Sequence, residues 1–423
     1  MAKHMKVAII SSHDLEGGAG KAAYRLFEAL RRAGTDAQMF VQRRASLEAH
    51  VHGPSGSWNN VKAGLRWRLD HAPAQLTGAR RGEFSVGWMP GGMAMGLKEF
   101  SPDVVHVHWV QSGFGSVGEL ASLSVPWVWT AHDMWPFTGG CHYDNDCERF
   151  ATNDCRPCPM QRSRPNAPLA RWRLRAKTHL TNARMAFVAP SQWMAGVARR
   201  SPVARKATVR CIANGIDLNR FVRLDREAAR SLFGLALDRV VILLGAANVG
   251  SDLRKGAAQL EQALARLAGS DSLANAQLCV FGTAVRRELV LHGVPVLEVG
   301  HLRDEESLVA LYSAADLFVA PSLQDNLPNT VLEAMACGLP CVAFNIGGMA
   351  DLINDGVSGR LAAQGDVGAL ALCIQQVLSD SAWRAAAGRA ARRRAEEYFS
   401  YSRLAAEHTD LYGQLLLTKS NLA

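Results

Sequence analysis

Residues 318–341 read FVAPSLQDNLPNTVLEAMACGLPC, and the order of residue types in this stretch decides the fold. The apolar run ending near Ala320 has strand character, the polar residues after it form a loop, and Pro328 and Gly338 stand where a helix starts and stops. Strand, loop and helix in that order make half of a βαβ unit, whose ligands lie beyond the carboxyl ends of the strands. Asp325 falls in the loop and Glu333 in the helix, so both carboxylates are expected at that edge. A carboxylate there accepts hydrogen bonds from paired sugar hydroxyls. The helix start, wrapped by Asn326, Leu327, Pro328 and Asn329, offers backbone N–H groups to phosphate oxygens. Carboxylates that merely decorate a helix start look the same locally, so the rest of the chain has to decide.

Working outward, apolar runs recur upstream at Val240 to Ala247, Leu278 to Phe281 and Val296 to Val299, and downstream at Cys341 to Phe344. Helical patterns alternate with them, which predicts a parallel sheet. Before the second of these runs comes NVGSDLRKG, residues 248–256. Its Arg254 and Lys255, just ahead of a helix predicted from Ala257, suit a diphosphate. The first half of the chain repeats the alternation: runs at Met5 to Ile10, Ala37 to Val41, Val104 to Trp109, Trp127 to Ala131, Ala186 to Ala189 and Thr208 to Ala213. The loop after the first run, SSHDLEGGAG, brings Gly17, Gly18 and Gly20 to a helix start, where backbone can approach a phosphate closely. His132 and Asp133 follow the WVWTA run directly and are expected at its carboxyl end. There His132 can donate to a sugar hydroxyl or stabilise developing negative charge. His106 and His108 alternate on one strand face and read as structural, and residues 42–100 read as an insertion or acceptor-facing region.

Together these motifs resemble, in order and over nearly the whole chain, the retaining family-4 glycosyltransferases of GT-B fold. The stretch at 321–340 is similar to their P-S-x-x-E-G…E-A-M-A-x-G-x-P segment, matching at Pro321, Ser322, Glu333, Ala334, Met335, Ala336, Gly338 and Pro340, with Asp325 and Asn326 in place of Glu and Gly. TAHD at 130–133, VAPS at 188–191, NGID at 214–217, RKG at 254–256 and GG at 347–348 are further points of likeness. The resemblance implies two Rossmann-like α/β domains with parallel sheets facing a central cleft. The acceptor domain would span 1–213, rejoined by C-terminal helices 400–423, and the donor domain 214–399. It also implies transfer of a sugar from a nucleoside-diphosphate sugar to an acceptor hydroxyl with retention, in cell-surface or exopolysaccharide synthesis. In that reading Glu333 accepts ribose hydroxyls and Lys255 and Arg254 neutralise the leaving diphosphate. Asp325 and the loop after it orient the sugar, His132, Gly17 and Gly18 complete the site, and no cofactor is required for catalysis. The acceptor would be a saccharide or lipid-linked saccharide. The alternatives are a small soluble acceptor, or a regulatory protein that binds the donor without turnover.

Length and composition agree with this frame. The 423 residues, 48% hydrophobic, suit two domains of about 200 residues each. The start MAKHMKVAII runs straight into a strand and no stretch has the length of a membrane span, so the expected place is the cytoplasm. The net charge of +9 is unevenly distributed: Gln161 to Lys206 holds eleven Lys or Arg and no Asp or Glu. Such a run suits an anionic membrane surface, polyphosphate or plain solvent; no nucleic-acid-binding signature accompanies it. Cys141, Cys147, Cys155 and Cys158, in the loop 139–160, have the spacing C-x5-C-x7-C-x2-C. A structural zinc site, with His142 as substitute ligand, free thiols and disulfides are all compatible with it.

Overall fold

The computed structural model describes residues 5–54, 57–80, 82–93, 96–180, 184–245, 252–302 and 304–420. The chain forms two compact units, Met1–Asn214 together with Ser402–Ala423, and Gly215–Tyr401.

The first unit is built on seven strands: β1 (Lys6–His13), β2 (Asp36–Arg43), β3 (Val51–His52), β4 (Val104–Val107), β5 (Trp127–Thr130), β6 (Met185–Ala189) and β7 (Thr208–Cys211). They lie in the order β3-β2-β1-β4-β5-β6-β7, every pair parallel. WVWT of β5 and MAFVA of β6 are buried at every position, which is why they read as continuous apolar runs and not as alternating ones. Helix Gly17–Arg32 turns Ala22, Ala23, Leu26, Phe27 and Leu30 to the core. Residues 42–100 add β3 and the helix Ser57–Gln75. The C-terminal helix Tyr401–Ser420 is tied to this sheet from its far end in sequence: Tyr412 Oη and His106 Nδ1 are 2.6 Å apart, both buried.

The second unit has β8 (Val240–Gly245), β9 (Ala276–Phe281), β10 (Arg286–Leu291), β11 (Val294–Gly300), β12 (Leu317–Ala320), β13 (Cys341–Phe344) and β14 (Gly359–Ala362). Their order is β10-β11-β9-β8-β12-β13-β14. All neighbours are parallel except β10, an edge strand antiparallel to β11. The two are joined at His292 and Gly293, both at positive φ, the handedness that matches strand twist in a two-residue hairpin. Residues 246–247, expected at the end of β8, lie outside the described residues, as do 248–251 of the loop before Arg254.

The basic run does not form one solvated face. Lys177 is fully buried, and Arg173 donates to Gly87 O. Arg162, Arg171 and Arg200 pair with Glu83, Asp154 and Glu148. At least five of the eleven cations are thus engaged within the first unit, on acceptors outside the run itself. Among the described residues no helix is long and apolar enough to cross a membrane.

Candidate functional site

Strand order in the second unit reverses between β8 and β12, since β9 follows on one side of β8 and β12 on the other. A reversal of this kind leaves a crevice at the carboxyl ends of the two strands. The loops that follow β8, β12 and β13 meet there. Gly256 stands at φ +72°, and a Cβ on it would lie 1.8 Å from Pro321 O; Leu323 N donates to Arg254 O at 2.8 Å. Gly347, at φ +49°, would place a Cβ 1.8 Å from Asp325 O, and Gly348 N donates to Asn326 O at 2.6 Å. Gly256 of RKG and Gly347 of GG are therefore places where one backbone lies directly on another, which no side chain permits.

This packing fixes the charged groups. Lys255 Nζ is 2.7 Å from Asp325 Oδ2, and Asp325 Oδ1 accepts from Asn326 N at 3.0 Å. Asn326 and Leu327 are buried. Pro328 is the extended N-cap of helix Asn329–Ala336, which no side chain caps. Arg254 departs from expectation. Its guanidinium is forked onto Asp252, Nε to Oδ1 at 3.0 Å and Nη2 to Oδ2 at 2.8 Å, so of the two basic residues only Lys255 reaches Asp325. Burial pushes the Asp252 carboxyl up, but the hydrogen bonds and charge of Arg254 outweigh it and leave it below the usual range.

Glu333 also differs from the expectation of a carboxylate lining an open edge: it is 2% exposed, because helix Asn329–Ala336 is buried along nearly all its length. Tyr312 Oη donates to Glu333 Oε2 at 2.9 Å. The tyrosine is itself clamped edge-on by Phe281 and Phe318, with centroids 5.9 and 5.8 Å away. Sequence reading missed Tyr312. It lies 21 residues from Glu333 in another helix, and no local pattern links them.

In the first unit the order reverses between β1 and β4. Gly17, at φ +70°, starts helix Gly17–Arg32, Gly18 lies in its first turn, and no side chain caps that end. The loop ahead of it is anchored by Asp14, fully buried, which accepts from the backbone N–H groups of Leu15, Ala45 and Ser46. Burial raises its pKa, and these hydrogen bonds outweigh that and hold it low.

His132 stands at the end of a ladder of rings. His408 lies 5.3 Å from His106, His106 4.5 Å from His108, and His108 5.1 Å from His132, by centroids. His108 Nδ1 and His132 Nε2 share a 2.9 Å hydrogen bond, and His106 Nε2 meets Thr130 Oγ1 at 2.7 Å. Burial holds His106 and His108 well below the ordinary histidine range and pushes His132 and His408 down to about 4. His132 is therefore a neutral, partly exposed imidazole. It can exchange a hydrogen bond with a hydroxyl, but it does not bring the positive charge that stabilising an anion would use. A cavity of about 790 Å³ in the same unit is lined by Phe40, Phe100 and Phe114 with Lys62, Arg66 and Glu99, a volume and mixed lining suited to an amphipathic ligand.

Cys141, Cys147, Cys155 and Cys158 line one small cavity together with Asp144. His142 is not a substitute ligand, because both of its nitrogens are engaged, Nδ1 with Asp133 Oδ2 at 2.6 Å and Nε2 with Ser85 Oγ at 2.9 Å. Asp144-Asn145-Asp146 has D-x-D spacing, but Asp144 accepts from Glu148 N at 3.0 Å and belongs to the cysteine loop.

Comparison with known proteins covers both units. The family model "Glycosyltransferase Family 4" matches residues 16–220, and "Glycosyl transferases group 1" matches 238–380. The D-inositol 3-phosphate glycosyltransferase of Mycolicibacterium smegmatis is 29% identical over 392 residues, 88% of this chain and 83% of that protein. Its counterpart from Geodermatophilus obscurus is 34% identical over 185 residues, 39% of each. Among solved structures, sucrose-phosphate synthase from Thermosynechococcus elongatus aligns with a TM-score of 0.71 at 21% identity, covering 98% of this chain and 100% of that one. Anabaena HepE in complex with UDP-glucose aligns at 0.62 and 17%, covering 97% and 100%. Two seven-stranded Rossmann-like sheets, matched in turn by two glycosyltransferase models, establish that the chain belongs to the family-4 glycosyltransferases of GT-B fold.

Proposed function

We propose that the chain transfers a sugar from a nucleoside-diphosphate sugar to an acceptor hydroxyl with retention of configuration. The observation that carries this reading is the meeting of Lys255 and Asp325 at 2.7 Å where the strand order of the second unit reverses. In the reaction the bond from the anomeric carbon to the diphosphate breaks, and the sugar passes through an oxocarbenium-like state as negative charge builds on the leaving phosphate. Lys255 supplies a fixed cation for that charge, with Arg254 joining it on leaving Asp252. The uncapped start of helix Asn329–Ala336 supplies amide dipoles. Glu333, oriented by Tyr312, accepts the ribose hydroxyls, and Asp325 with Asn326 orients the sugar. No metal is needed for these roles, and the departing phosphate serves as the base for the incoming hydroxyl. His132 offers a neutral hydrogen-bond partner in the first unit.

For the acceptor, the cavity beside Phe40 and Arg66 supports a saccharide or lipid-linked saccharide used in cell-surface or exopolysaccharide synthesis, handled on the cytoplasmic side and peripherally at the membrane. A small soluble acceptor is the second reading. It is favoured by the pairing of the basic run within the first unit and by relatives named for inositol 3-phosphate. The test is to incubate the protein with UDP-, GDP- and ADP-sugars and candidate acceptors and to read the anomeric configuration of the product by NMR. A product with inverted configuration overturns retention, and salt-sensitive sedimentation with anionic vesicles separates the two acceptor readings.

A further inference from the structure

We propose that Cys141, Cys147, Cys155 and Cys158 bind one structural zinc ion as thiolates, and that Lys177 and Arg149 offset the negative charge of that centre. This inference is independent of the donor site.

Three observations converge on it. The four side chains, spread over 18 residues of sequence, line a single cavity of about 10 Å³, room for about one small sphere. Phe84, Phe150 and Met160 line the same cavity, so the space is bounded by sulfur and apolar carbon, with Cys155 and Cys158 buried and Cys141 and Cys147 partly exposed.

Second, the loop that carries the cysteines has little regular structure to hold it. Within 139–160 its helical structure is a short 3-10 turn at Arg149–Thr152, and Asn145, Asp146, Glu148 and Asn153 all stand at positive φ. Asn and Asp tolerate the left-handed region, but Glu rarely adopts it, so holding Glu148 there takes something beyond local preference. A tetrahedral metal centre does this in loops with few apolar residues.

Third, the cations nearby have no carboxylate in ion-pair contact among the described residues. Lys177 Nζ is fully buried. It donates to Trp135 O and to Thr138 O and sits 3.6 Å from the centre of the Trp135 ring. Among the described residues no carboxylate is within ion-pairing distance of it. A buried cation whose partners are only carbonyls and an indole face is costly. Burial, and then Arg173, hold the Lys177 pKa well below the ordinary lysine range, while charge on Cys141, Asp133 or Cys155 acts in the opposite direction and favours the ammonium. On the other side Arg149 Nη1 donates to Cys147 Sγ at 3.6 Å. Binding converts four thiols and Zn²⁺ into a tetrathiolate complex of charge −2 and releases four protons, and the two cations match that charge. Among the described residues no three His, Cys, Asp or Glu side chains already stand in a metal shell, so binding requires the sulfurs to draw together on the ion.

The full-length protein, purified without chelator, tests this by elemental analysis. The expected result is about one zinc per chain, absent in C155S/C158S. To separate loss of metal from loss of fold in that variant, the wild type is also reconstituted with Co²⁺, which should give the visible d–d absorption of tetrahedral thiolate-bound cobalt. K177M should retain the fold and weaken zinc by roughly tenfold or more in chelator competition, as outer-shell changes do. A wild-type chain with no metal and no cobalt band, iron in place of zinc, or disulfides among these four cysteines would each overturn the proposal.

Discussion

The ammonium of Lys255 lies 2.7 Å from the carboxylate of Asp325, although one follows β8 and the other β12, and this pair joins the two strands between which the sheet changes direction. With side-chain exposures of 24% and 14%, its net contribution to stability is small, about 1 kcal/mol or less. In the proposed reaction its larger role is to hold a cation where the diphosphate leaves. Lys255→Ala is therefore expected to lower kcat/KM on the order of 10²-fold or more while moving Tm little. Steady-state kinetics beside a thermal melt distinguishes the two; a large Tm loss with kinetics unchanged would count against this role.

In the proposed site Tyr312 acts through Glu333, to which it donates a 2.9 Å hydrogen bond. Removing one hydroxyl from the buried pair in Tyr312→Phe leaves the carboxylate less well oriented, at a cost of about 1.4 kcal/mol, on the order of tenfold in donor affinity. The expected signature is a raised donor KM with kcat less affected. A lowered kcat at unchanged KM would assign the tyrosine elsewhere.

Two glycines at similar φ separate strain from clash. Gly256→Ala combines φ +72° with a Cβ 1.8 Å from Pro321 O, whereas Gly293→Ala at φ +83° meets nothing within 4 Å. The second is expected to cost about 1 kcal/mol. The first should cost more than about 2 kcal/mol and abolish donor binding, because the β8 loop must move off the β12 loop. Chemical denaturation of both variants checks this ordering.

The histidine ladder sets an acid limit. Burial depresses the folded-state pKa of His106, His108, His132 and His408 below the ordinary value of 6.5, the last two to about 4. In that window the unfolded chain binds more protons, so stability is fully present above pH 6.5 and is lost as pH falls toward 4. For His408 the loss is up to about 3 kcal/mol over that range. Tm is expected to be flat near pH 7–8 and to fall below pH 6.5, with a shallower fall in His408→Leu. An unchanged slope in that variant would remove His408 from the account.

Much of this was legible in the sequence, for a physical reason. Strands buried on both faces, such as LFVA of β12 and WVWT of β5, leave continuous apolar runs, and the glycines of RKG and GG mark close backbone approaches. β10 was not legible: RRELVL is an exposed, charged edge strand and reads like loop. Nor was the seclusion of Glu333, whose partner Tyr312 comes from another helix. Lys177 looked like surface charge because charge usually is; Trp135 and Thr138, some forty residues upstream, bury it.

The central claim is that the diphosphate of a donor binds at Lys255 with its nucleoside at Glu333. Isothermal titration of UDP, GDP and ADP into wild type, Lys255→Ala, Glu333→Ala and Lys206→Ala tests it most directly. One nucleotide is expected to bind the wild type and Lys206→Ala alike, and to bind the other two variants at least about tenfold more weakly. Equal affinity across all four proteins would contradict it.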